Sequence, residues 1–136
     1  MDIKFYKILK EGLQSFNENL KKPYGNEIVS VPTKNTTYPY TQFSEVLNVA
    51  NRNYNSPFER VASVGYRVDI FAKDQGSKYQ KMDIAREIAE MVDFYLSRQN
   101  LYRESFNVIE LENDSSIYHI IMMYSGNLRE YRRKLI

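Results

Sequence analysis

Residues 64–96 change their apolar period once, and that change constrains the fold more than any other feature of the chain. Val64, Tyr66, Val68 and Ile70 alternate with Gly65, Arg67, Asp69 and Phe71, the period of two expected of a strand with one buried face. A charged turn, KDQGSK, follows at 73–78, and the pattern then becomes helical. Met82, Ala85, Ala89, Val92 and Leu96 recur at spacings of three and four, joined by Ile88 and Tyr95. That spacing predicts a helix over about 78–98 with one buried stripe. Ser77 with Gln80 three residues on fits a capping box at its start.

The other segments sort by the same rule. Tyr6, Leu9, Leu13, Phe16 and Leu20 form one stripe, predicting a helix over 3–21 with Asp2 as N-cap. Lys21 and Lys22 suit its C-terminal dipole, and Pro23 forbids continuation. A short strand is expected over Glu27–Val31, ended by Pro32, and another over 43–50. ESFNVIEL (104–111) and SSIYHIIMMY (115–124) read as a hairpin joined at 112–114. The second of these is apolar at both alternating sets of positions, which predicts a central strand covered on both faces. Two long polar loops remain, near 32–42 and 51–63. They carry Tyr38, Tyr40, Tyr54 and Phe58, more aromatic surface than mobility alone predicts. The expected fold class is α+β: one domain over 1–136, with a mostly antiparallel sheet and two helices packed on one face.

Charge is unevenly placed. Residues 127–136, NLREYRRKLI, hold Arg129, Arg132, Arg133 and Lys134 against Glu130, a net of +3, while the rest of the chain nets −1. A neutral body with a basic C-terminal segment argues against a broad nucleic-acid-binding face. The chain has no Cys, which removes disulfides, thiolate catalysis and cysteine-based zinc sites. No apolar run reaches the length of a membrane span, and MDIKFYKILKEG has no long apolar core of a signal peptide.

Candidate chemistry is sparse. Gly76 stands alone in KDQGSK, without the further glycines of a Walker loop or a dinucleotide turn, so the stretch reads as a corner between strand and helix. His119 is the one histidine. It lies mid-strand and reads as a core or boundary residue. Asp83, Glu87, Glu90 and Asp93 share their helix with Lys81, Arg86 and Arg98, which reads as a solvated amphipathic face. No catalytic, cofactor-binding or metal-binding residue is expected, and the chain is not expected to be an enzyme. Tyr38, Tyr40 and Tyr54, with Arg129, Arg132, Arg133 and Lys134, are instead the candidate assembly-interface residues.

The order of elements, with YPY near position 38, YRVDIFAKDQGSK, MDIAREIAEMVD and IYHIIMMYSGNLREYRR, resembles a family. These are the small tail terminator or tail-completion proteins of long-tailed bacteriophages, also labelled minor capsid proteins. The resemblance spans nearly the whole chain and is strongest over 64–92 and 117–132; residues 45–63 match nothing in it. It implies a structural virion protein without enzymatic activity or cofactor, assembled in the host cytoplasm. It implies a homo-oligomeric ring, usually of six copies, on the head-proximal end of the tail. The tail tube protein and a neck or head-completion protein would be its partners, with no membrane and no sequence-specific nucleic acid. A head–tail connector of the neck is the alternative. A sheet-based nucleic-acid-binding module is disfavoured, because Tyr66 falls on the apolar face of its strand and the basic residues gather at the C-terminus.

Overall fold

Two helices lie on one face of a five-stranded sheet in the computed structural model, which describes residues 5–19, 27–50, 59–76, 80–109 and 116–131. The elements in chain order are α1 (Phe5–Asn19), β1 (Glu27–Val29), β2 (Tyr40–Ala50), β3 (Glu59–Ala72), α2 (Lys81–Arg98), β4 (Tyr102–Ile109) and β5 (Tyr118–Tyr131). The spatial order is β1-β2-β3-β5-β4; β1 runs parallel to β2, and the other pairings are antiparallel. This is the expected α+β class.

The core lies between helices and sheet. Val64, Tyr66, Val68 and Ile70 of β3 are fully buried beside Tyr124, Met122 and Ile120 of β5, and Phe43 of β2 stacks on Tyr66 with ring centroids 5.3 Å apart. The helices supply Leu9 and Leu13 from α1 and Ile84, Ile88, Val92 and Leu96 from α2. Burying side chains of this size contributes about 1.5–3 kcal/mol each, which is what holds the layers together. Polar contacts set the position of α1: the Tyr6 hydroxyl donates to the Phe43 carbonyl (2.6 Å), Lys10 Nζ to Ser30 Oγ (2.7 Å), and Gln14 Nε2 to the Ile28 carbonyl (2.9 Å). Gly12 lets the helices approach, since a Cβ there would overlap the Tyr95 hydroxyl.

Several expectations need correction. The stripe of α2 rotates away from Met82, which is exposed, and takes in Ile84 and Met91 instead. The helix starts at Lys81 with Gln80 as N-cap and no side-chain cap bond from it; Asp74 Oδ1 accepts the Lys81 N–H at 2.8 Å. Ser77 lies outside the described residues. β2 opens at Tyr40, inside the stretch expected as a loop, and β3 opens at Glu59, inside the second. Cross-strand pairing overrides the weak local signals there. β1 ends at Val29 rather than Val31. β4 and β5 do form the expected antiparallel pair, but β5 runs on to Tyr131. Nor is β5 covered on both faces: Ile120, Met122 and Tyr124 are buried under the helices, while Ile121 and Met123 on the other face are half-buried. Asp2, Lys21, Lys22 and Pro23 lie outside the described residues.

Candidate functional site

The helix-free face of the sheet holds a grouping of polar and aromatic side chains from β2, β3 and β5. Strand alternation puts Arg67, Asp69 and Phe71 on that face. The register then sets Tyr40 and His119 on either side of Phe71, and Gln42 and Ile121 on either side of Asp69. Asp69 and His119 are therefore diagonal neighbours, within reach of each other. The carboxylate takes a forked pair of hydrogen bonds from Arg67, Nε to Oδ1 at 2.7 Å and Nη2 to Oδ2 at 3.0 Å. His119 Nε2 lies 3.3 Å from Asp69 Oδ2. Only 6% of Asp69 and 7% of His119 remain exposed.

Burial by itself would raise the Asp69 pKa. The hydrogen bonds from His119 and Arg67, and their charges, outweigh it and hold the carboxyl below its ordinary value. The same pairing raises the Arg67 pKa. His119 Nδ1 is buried and has no hydrogen-bond partner among the described residues. The register places Phe71 on one side of the imidazole and Ile109 on the other, so the pair is flanked by apolar groups rather than by a third polar member.

A run of rings continues from the imidazole toward β1. His119 stacks on Phe71 (4.1 Å between centroids), Phe71 on Tyr40 (4.8 Å), and Tyr40 meets Tyr38 at 5.2 Å. Lys73 Nζ sits 4.6 Å above the Tyr38 ring. Burial, then the neighbouring Tyr38, push the Tyr40 hydroxyl up to about 12. Because the rings face one another, their faces are taken up internally and do not form an open platform for stacked bases. Tyr66, the other aromatic weighed for such a role, has no exposed surface.

The candidate interface residues separate on the structure. Tyr38 is half-buried in the segment before β2. Tyr40 is not a loop residue: it opens β2 and keeps 8% of its surface exposed. Arg129 belongs to β5, paired in register with Val61 of β3, so the basic segment is strand through Tyr131 rather than a tail. Tyr54, Arg132, Arg133 and Lys134 lie outside the described residues. The Asp69–His119 pair was missed because the two residues are fifty positions apart. The period-two run put Asp69 on the right face, but only the β3–β5 register brings His119 to it.

The corner at KDQGSK carries its own anion. Asp74 occupies the start of α2, where a phosphate would bind, and Gln75 Nε2 donates to the Tyr38 carbonyl at 3.1 Å. Gly76 has φ of +69°, with nothing within 4 Å of a would-be Cβ. Gly76→Ala is therefore expected to cost conformational strain alone, about 1 kcal/mol. A thermal melt checks this, and an unchanged midpoint would show that the turn relaxes.

A second grouping lies between α2 and β4. Arg86 and Arg103 hold their guanidinium groups 5.6 and 5.9 Å from the Phe106 ring, beside a cleft of about 360 Å³ also lined by Glu90 and Asp93. Asp93 is not simply part of a solvated face: it accepts the Tyr124 hydroxyl at 2.7 Å and lies 3.7 Å from Arg103. Burial, and then the bond to Asp93, raise the Tyr124 pKa. Among the described residues, no group of three or more His, Asp or Glu side chains is placed to hold a metal ion. No protein-family model matches the chain, and no curated protein matches it.

Proposed function

We propose that this chain is a structural assembly protein that forms a ring on the head-proximal end of a phage tail tube, ending tube growth and offering a joining surface to the head or neck. The observation that carries the reading is an arm at one end of the sheet. Past the Tyr102↔Ser125 pair β4 has ended, and β2, β3 and β5 continue as three strands to Ala50↔Ala62↔Leu128. Val49 on this arm, and Val46 and Leu47 at its base, are about half exposed. Exposed apolar side chains grouped along such an element mark an interaction surface. The chemistry of the site adds support: Arg67 and His119 both engage Asp69, and the rings of His119, Phe71 and Tyr40 stack on one another, so these groups are engaged within the chain. A ring follows when one surface of a copy binds a different surface of the next and the rotation closes. A tube end capped this way presents a new surface, to which further tube subunits no longer bind.

The test is tail assembly with and without the chain, scored by electron microscopy. Without it, tails of uneven length lacking heads are expected; adding purified protein back should restore uniform length and head attachment. Uniform tails in its absence would overturn the reading. Uniform tails that still lack heads would favour a neck connector instead.

A further inference from the structure

A sheet edge offers unpaired backbone N–H and C=O groups to another chain, and most proteins close such edges with charge, proline, bulges or short strands. The two edges of this sheet are closed unevenly. On one side β4 is the last strand, and no described strand pairs with its outer edge. On the other side β1 covers only Tyr40–Gln42 of β2, and Tyr6 takes the carbonyl of Phe43. From Ser44 to Ala50 the outer edge of β2 pairs with no described strand.

Each free edge holds a run without the usual protection. Ser105–Ile109 reads SFNVI, and the part of β2 beyond its irregularity reads LNVA, with neither charge nor proline in either. The register shifts fall beside these stretches, at Arg103/Ser105 and Glu45/Leu47, and not inside them. Strand polarity supplies the second observation. From β2 to β3 to β5 to β4 the chain direction reverses at each step, so β4 runs antiparallel to β2. A second copy set alongside in the same sense brings its β4 against this β2 in the antiparallel orientation, the better-bonded one.

We propose that β4 of one copy pairs with Ser44–Ala50 of β2 in the next copy, so that one sheet continues across the contact. The occupant of each edge is thus the opposite edge of the same chain. β1 sets the register, because it already fills the lane beside Tyr40–Gln42 and stops the incoming strand at Ser44. Leu47 and Val49 then share the open face with Asn107 and Ser105 of the neighbour. Glu45 faces the part of β4 from Ser105 to Ile109, which carries no charge, so no like charges meet there. The two edges differ, so each copy in a row leaves one of each kind free. Such a contact closes into a ring or runs on as a filament according to its rotation.

This proposal rests on the reading that the chain assembles with itself, and its test separates the two. One full-length variant carries Ser105→Lys with Asn107→Lys, blocking the β4 edge. A second carries Leu47→Lys with Val49→Lys, blocking the β2 edge. Circular dichroism confirms that each is folded. Sedimentation velocity should give an oligomer for the wild-type chain and a single-chain mass for either variant alone. Mixing the two should give a one-to-one pair, joined through the intact β2 of the first and the intact β4 of the second. Variants that assemble like wild type would overturn edge pairing while leaving self-assembly standing. So would a mixture that stays as single chains. A wild-type chain that remains single until tail tube protein is added would overturn the proposal by assigning the edges to that partner. Tail capping, scored separately, decides the broader reading in each case.

Discussion

Tyr40→Ala is expected to lower stability by about 3 kcal/mol, the low end of the range for removing a buried aromatic ring. Tyr40 stacks on Phe71 and touches Tyr38, and it keeps 8% of its surface exposed. It also opens β2 at the point where β1 joins, pairing with Glu27 on one side and Phe71 on the other. The lost ring leaves Phe71 half unstacked and opens a gap toward His119. Some of that gap is on the helix-free face and fills with water, which keeps the cost below that of a sealed core position. A melting point lower by on the order of 10 °C follows for a domain of this size. Read as a loop residue serving assembly alone, Tyr40 would have left the melting point unchanged. A melt of the unassembled variant that matches wild type would restore that role.

The difference between those two expectations marks what the sequence carries. Segments with a strong period were legible: the β3 run through Ile70, the stripe of α1 from Tyr6 to Phe16, and most of the stripe of α2. Each depends on residues a few positions apart, which local pattern reports well. Tyr40 sits among Thr, Pro and Tyr, with no period of its own, and its strand state is imposed by Glu27 and Phe71 from elsewhere in the chain. Arg129 is similar: an arginine-rich segment reads as a terminus, and only pairing with Val61 makes it strand. Met82 fits the helical spacing but lies in the first turn of α2, ahead of the contact with the sheet, so spacing alone overcounted the buried stripe. The candidate site was the least legible part. Its polar members come from β3 and β5, and which residues meet depends on a register that no local pattern encodes.

The Asp69–His119–Arg67 grouping makes a prediction with a definite sign in pH. Asp69→Asn keeps the shape and one acceptor oxygen but removes the charge that both partners face. The expected loss at neutral pH is about 2 kcal/mol. That is below the usual cost of breaking a buried pair, because about half of the Arg67 side chain reaches water and is screened there. The Asp69 pKa is lowered in the folded chain, whereas in the unfolded chain it is about 3.9. A group with a depressed folded value stabilises the fold fully above its unfolded value, and that contribution is lost as pH falls through the folded value. The gap between wild type and Asp69→Asn should therefore narrow as pH falls below about 4. Urea unfolding at a series of pH values measures it. Wild type should lose stability faster than the variant on the acid side, because only wild type has this carboxylate to protonate. A gap that stays constant down to pH of about 2 would show that the carboxylate is not held by its partners. Stability at neutral pH equal to wild type would show that Arg67 and His119 are satisfied as well by an amide. In that second case the carboxylate would be dispensable to the stability of the fold.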